Sequence, residues 1–182
     1  VMREHGVARA TTKQIARAAG YSEALLYKHF RDKEEILLRV LEERMPAFGA
    51  AAIPGKETVE SNLVEVAHSA LRFYRQAFPM MASVVAQPRL MTAFRESLAR
   101  YGAGPHFPVN GLADYLRAEQ ELGRVSSDAD PDSAAALLMG ACFQQAFLRV
   151  FSDGPDFAES DAADLVRPLL PALREPVPQE NE

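Results

Sequence analysis

The sequence predicts an all-α protein, with an N-terminal three-helix helix-turn-helix domain over residues 1–46 and a larger helical domain over residues 47–182. Three observations lead there. Apolar residues recur at three- and four-residue spacing through most of the chain, and no stretch alternates in the manner of a strand. Residues 11–45 hold three helix-start signals and a glycine stop, the punctuation of short helices joined by tight turns. The charge is split: seven Lys and Arg against three acids in residues 1–33 set +4 there against −9 in the remaining 149 residues, for a net −5. A basic head on an acidic body suits a polyanionic partner for the head, or else marks a solvated charged face.

Each element has its own signal. Thr11, with Gln14 three residues on, forms a capping box in which each side chain satisfies an orphan backbone N–H. Gly20, after Ala18 and Ala19, suits the left-handed position just past a helix end. Ser22 caps a second short helix reaching Phe30. Asp32, with Glu35 as its box partner, opens a third that runs through Ile36, Leu37, Val40 and Leu41 to Arg44, ahead of Pro46. Residues 47–56, rich in Ala, Gly and Pro, read as a linker. Over 57–78, Val59, Leu63, Val66, Ala70, Phe73 and Ala77 mark an amphipathic helix that ends before Pro79. Further helices are predicted over 89–101 and 112–122, parted by the prolines of 105–108. Asp130 caps a strongly apolar helix over 131–151, with Pro131 in the first turn, where its missing N–H costs nothing. A last helix over 160–173 should be kinked or shortened by Pro168 and Pro171, and 175–182 is a polar tail.

With 48% hydrophobic residues the chain can build a sizeable core. Its apolar runs are short and broken by charge, so none is expected to reach the ~20 residues of a membrane span, and no leader pattern is seen. The lone cysteine, Cys142, allows neither an internal disulfide nor a multi-cysteine metal site. A soluble cytoplasmic protein without cofactor or metal is the expectation. Enzyme chemistry has little support: Cys142 lies in an apolar helix, and His5, His29, His68 and His106 lie in separate segments without metal or nucleophile spacing.

The first two short helices carry the functional signal. A helix, a glycine-containing turn and a second short helix make a helix-turn-helix. Ile15, Ala16 and Ala19 should pack inward from the first, Leu26 and Phe30 from the second, leaving Glu23, Ala24, Tyr27 and Lys28 on an outer face that a DNA major groove could receive. The wording goes further. Residues 11–37, TTKQIARAAGYSEALLYKHFRDKEEIL, closely resemble the signature of the TetR family of transcriptional regulators, A-G-x-S-x-x-x-L-Y-x-H-F-x-x-K-x-x-L preceded by T-T-x-x-I-A. The match covers 27 consecutive residues with nearly every diagnostic position filled.

The resemblance implies roles residue by residue. Thr12, Ser22, Tyr27, His29 and Lys33 match family positions that hold the phosphate backbone; Lys13, Glu23, Ala24 and Lys28 match positions that face base edges. Lys33, in a first helical turn, would add its ammonium to backbone N–H groups and the positive helix end. Lys28 could donate to guanine, Ala24 could touch a thymine methyl, and Glu23 could accept from cytosine or repel wrong placements. Tyr27 could instead be a core ring with its hydroxyl exposed, and His29 a helix-end cap. Family members begin with a longer first helix, and this sequence starts inside it, so phosphate contacts from its front are not placed.

For the rest of the chain the resemblance implies a helical effector-binding and dimerisation domain. The helix over 131–151 is crowded with Ala134, Ala135, Ala136, Gly140, Ala141 and Ala146, small residues that let two helices approach closely. With the 160–173 helix it could form a four-helix homodimer bundle, or it could be a core helix of one chain. Phe73, Tyr74, Met80, Met91, Phe94 and Tyr115 suit an adaptable apolar pocket, with Gln144, Gln145 or Arg95 as polar anchors, and suit an ordinary core as well. The function expected is a repressor released from palindromic operator DNA by a small, largely apolar effector. A constitutive DNA binder without ligand is the alternative.

Overall fold

The structure is a computed structural model that describes residues 1, 9–44, 52–100 and 104–174. Four features read from the sequence lie outside the described residues: the 2–8 segment of the first family helix, residues 47–51 of the 47–56 linker, Tyr101, and the 175–182 tail. All regular secondary structure among the described residues is helical, in the order α1 (Thr12–Ala18), α2 (Glu23–His29), α3 (Lys33–Arg44), α4 (Val59–Val85), α5 (Pro88–Arg100), α6 (Phe107–Glu121), α7 (Pro131–Phe151), α8 (Glu159–Val166) and α9 (Leu170–Leu173).

The chain divides into two compact units. One comprises Val1–Met45 and Gln76–Pro105, the other Pro46–Arg75 and His106–Glu182. Residues 76–105 thus group with the front of the chain, whereas the sequence places them with the rear domain. In the front unit α1 packs on α2, and α3 on α5. Leu37, Ile36, Met80, Val84, Leu90 and Phe94 are its larger buried apolar side chains.

The rear unit has a continuous core. Leu63, Val66 and Leu71 of α4 meet Leu112 and Leu116 of α6, Leu138 and Met139 of α7, and Val166 of α8. Each fully buried Leu or Met contributes about 1.5–3 kcal/mol of apolar transfer, so this core decides the unit's stability. Cys142 belongs to it: burial pushes its thiol up to about 12 and leaves it protonated, a small apolar filler whose Sγ lies 3.8 Å from the Ala67 carbonyl.

Three expectations need correction. Pro79, where the sequence predicts a helix end, lies inside α4, which runs on to Val85. The proline forfeits the hydrogen bond to the Arg75 carbonyl, but Met80 and Val84 continue the buried stripe of Ala77 past it, and their burial outweighs the loss. The units divide at this same turn, between Arg75 and Gln76. Next, α6 starts at Phe107, five residues before the predicted 112, because Pro108 sits in its first turn, where a missing N–H breaks nothing. Finally, α7 is by length and composition the one membrane-length apolar helix among the described residues. Its window holds few charges because both of its faces are apolar: one packs in the core and the other is exposed.

Candidate nucleic-acid interface

Local chemistry sets the geometry of α1 and α2. The Thr11 hydroxyl accepts from the Gln14 N–H at 3.2 Å while the Gln14 carboxamide oxygen accepts from the Thr11 N–H at 2.9 Å, the two halves of the capping box. Gly20, at φ +77°, ends α1 in a conformation a side chain would strain. Ser22 then accepts from the Leu25 N–H at 3.2 Å to start α2. Ala16 is buried between the helices, with Ile15, Leu26 and Phe30 half-buried around it. Ala19, predicted to point inward, is exposed instead, because it is the cap residue where the chain turns away toward Gly20. At the head of α3, Asp32 accepts from the Glu35 N–H at 2.7 Å, and the Glu35 carboxylate reaches back to the Arg31 N–H, one residue upstream of the predicted box partner.

This frame presents the predicted surface. Ala24, Tyr27, Lys28 and His29 are exposed on α2, as are Lys13 on α1 and Ser22 in the turn, and Lys33 is half-buried at the start of α3. Tyr27 is 52% exposed, which sets aside its reading as a core ring. Ser22 spends a lone pair on its cap and keeps its O–H as a donor. Lys28 sits in the last turn of α2, where its positive charge complements the helix end.

Glu23 is placed differently from its neighbours. It is half-buried, and its Oε1 accepts from the Thr12 hydroxyl at 2.5 Å; Thr12 Oγ1 is in turn 3.1 Å from the Tyr27 hydroxyl. The sequence named all three residues but not this partnership, which spans eleven positions and has no spacing signature.

The predicted pocket residues fall in both units. In the front unit Met80 and Phe94 are buried and Met91 is half-buried. In the rear unit the rings of Phe73 and Tyr74 lie 5.5 Å apart, and Tyr74 meets Phe143 edge-on at 5.5 Å, an aromatic contact the sequence did not single out. Burial pushes the Tyr74 phenol up to about 12. Tyr115 is committed elsewhere: its hydroxyl accepts from the Asn62 amide at 2.9 Å in a buried polar network, and burial, together with Glu119 beside it, pushes the phenol up to about 12. Gln144 is exposed on α7. A cleft of about 240 Å³ lies between α4, α7 and α8, lined by Leu71, Gln145, Arg149, Phe157, Asp161 and Leu165 among others; of the predicted polar anchors it takes only Gln145.

The family model of bacterial regulatory proteins, tetR family, matches residues 1–40. The model of the AefR-like transcriptional repressor C-terminal domain matches residues 61–168, more than half the chain. The chain belongs to the TetR family. As a TetR-family transcriptional regulator it is a member of a group of DNA-binding regulators, not enzymes, and α1–α3 form its helix-turn-helix domain. Solved structures show the same fold. The regulator FadR from Bacillus subtilis, in complex with stearoyl-CoA, is 21% identical with a TM-score of 0.68, over 96% of this chain and 94% of that one. SmeT, the repressor of the Stenotrophomonas maltophilia multidrug efflux pump SmeDEF, is 22% identical with a TM-score of 0.64, over 97% and 92%. SmeT in its triclosan complex is 23% identical with a TM-score of 0.66, over 98% and 93%. No curated protein matches the chain.

One further surface of this TetR-family chain stands out. On α7, Ala134, Ala135, Leu138, Met139, Cys142 and Ala146 face the core, while Leu137, Phe143, Phe147, Leu148 and Phe151 are 40–82% exposed, with Gly140 on the same outward side. The small residues picked out in the sequence therefore divide between the two faces, and the outer face is made chiefly of large apolar side chains.

Proposed function

We propose that this protein is a homodimeric repressor that reads palindromic operator DNA with α2 and is released by a small, largely apolar effector. The observation that carries the reading is the outer face of α2: Ala24, Tyr27, Lys28 and His29 project together from a helix flanked by the Ser22 cap at its start and the Asp32 cap of α3 just beyond its end. Lys28 and Lys13 offer donors to base edges; Ser22, Thr12, Tyr27, His29 and Lys33 offer hydrogen-bond donors and positive charge to phosphates. A partner of this kind places the protein in the cytoplasm, where the DNA is.

The α7 face supports the dimer, since a contiguous exposed apolar stripe of this kind marks an interaction surface. The effector's character follows from side chains and relatives together. FadR and SmeT have been captured with stearoyl-CoA and triclosan, both with large apolar parts. Here Phe73 and Tyr74, joined by Phe143, supply an aromatic surface for a molecule of that type. Binding must favour a conformation in which the two readers are wrongly spaced; a coupling of about 1–3 kcal/mol changes operator affinity roughly 5–150-fold. Apolar compounds that raise the melting temperature should therefore also release operator; hits that stabilise the protein and leave DNA affinity unchanged would turn the reading toward a constitutive regulator.

The DNA contacts have a direct test. Binding of a selected operator should weaken steeply with salt. Lys33→Ala should weaken binding to all duplexes alike and flatten that salt dependence by about one counterion. Lys28→Ala should relax preference at one base pair per half-site, by about 1–3 kcal/mol. Sequencing of duplexes selected from a random library measures both, and an unchanged base preference in Lys28→Ala removes that residue from the base-reading set.

A further inference from the structure

We propose that Glu23 is an internal anion that occupies the Thr12 and Tyr27 hydroxyls in the DNA-free reader and lowers affinity for every DNA sequence alike, rather than a group that reads a base. The inference rests on the DNA-binding reading above.

The proton inventory of the cluster carries it. A carboxylate only accepts hydrogen bonds, so in the 2.5 Å contact the single O–H of Thr12 donates to Glu23 Oε1. Thr12 then has lone pairs and no proton left. The 3.1 Å contact between Thr12 Oγ1 and Tyr27 Oη must accordingly be made by the Tyr27 O–H donating to Thr12. Both hydroxyl protons thus run inward along one chain that ends on Glu23.

A DNA phosphate offers acceptors only, so a hydroxyl binds it by donating. Thr12 and Tyr27 can do so only by withdrawing their protons from this chain. Glu23 therefore competes with phosphate for the same donors, and its own negative charge repels the incoming phosphate. Neither effect depends on base sequence. The placement agrees: Glu23 is half-buried and bonded toward α1, whereas Ala24, Tyr27 and Lys28 stand exposed on the outer face of α2.

Glu23→Gln separates the possibilities, because its neutral carboxamide oxygen can accept from Thr12 only more weakly than the carboxylate and carries no charge to repel phosphate. Full-length wild type and variant are compared on three probes: a randomised duplex library sequenced after selection, the best duplex from it, and an unrelated duplex. The expected result is tighter binding of both single duplexes by the same factor, about three- to tenfold at low salt, with an unchanged base-preference profile. In a Tyr27→Phe background, which has no phenol proton to release, the gain should shrink. A changed preference at any base position shows that Glu23 reads a base and overturns the proposal. So does equal or weaker binding by Glu23→Gln, or a gain undiminished by Tyr27→Phe. If the wild type binds no duplex at any salt concentration, the DNA-binding reading itself fails and takes this inference with it; wild-type binding with an inert Glu23→Gln overturns this inference alone.

Discussion

Arg124→Ala is expected to destabilise the protein by about 3–5 kcal/mol, far more than an ordinary surface substitution. The reason is the carboxylate it faces. Glu119 of α6 is fully buried, and its Oε1 accepts from the Gly55 N–H at 3.3 Å. Its Oε2 lies 3.1 Å from Arg124 Nε, close enough for an ion pair but off the axis of a hydrogen bond, so the attraction is chiefly one of charge. Arg124 also donates to the carbonyls of Lys56 and Glu57, and Asn62 ties the Lys56 carbonyl to the Tyr115 hydroxyl. One guanidinium thus neutralises a buried charge and holds the 55–57 turn against α6. Removing it strands the carboxylate in the core without a counter-charge. In a Glu119→Gln background the same truncation should cost much less, because no buried charge is left to strand while an oxygen still accepts from Gly55. Denaturant melts of the four proteins give the coupling between the two sites. Equal costs in the two backgrounds would mean that Arg124 acts only through its carbonyl contacts.

That network also shows where sequence reading stops. Thr11 with Gln14, Ser22, and Asp130 announce their helices because a cap is a contact across three residues, and neighbouring residues in the chain are enough to specify it. The reader was legible for the same reason: its two short helices and turn occupy one continuous stretch. Glu119 and Gly55 are 64 positions apart, and nothing near either residue signals the pairing. Glu23 and Thr12 failed to register as a pair on a smaller scale, across eleven positions. Pro79 misled because local backbone preference was weighed without the buried stripe that continues on its far side. Apolar periodicity also leaves open whether a side chain lines a void or fills a core. Tyr115 read as a pocket residue, and its hydroxyl is held by Asn62 inside the polar network. On α7 composition pointed to alanines, but only packing reveals that Ala135 and Ala146 face inward while Leu137 and Phe151 face out.

Gly140→Leu is expected to abolish the proposed dimer while leaving the single chain folded. A Cβ built at Gly140 meets nothing within 4 Å, so one chain has room for a side chain there. Within a helix glycine is also the costlier residue, and Gly140→Ala alone should stabilise an isolated chain by up to about 1 kcal/mol. Any penalty for a larger residue must then come from outside the chain. The outer face of α7 gives the reason: Leu137 and Phe151 are 68% and 82% exposed, Phe143, Phe147 and Leu148 are 40–48% exposed, and the rings of Phe147 and Phe151 lie 6.1 Å apart. Two such faces crossing at Gly140 would bury this stripe and allow the helices close approach at the one position without a side chain. A palindromic operator read by such a dimer would present its half-sites about 34–36 Å apart, one turn of DNA, or at a somewhat wider separation. A leucine at the crossing forces the helices apart. Sedimentation should find a wild-type dimer at micromolar concentration and a Gly140→Leu monomer or aggregate, with circular dichroism showing the same helix content in both. Operator affinity should fall about 10²- to 10⁴-fold, because two linked half-site contacts become one. A wild-type monomer, or a Gly140→Leu protein that stays dimeric and binds operator normally, would show that the apolar face of α7 serves some other partner.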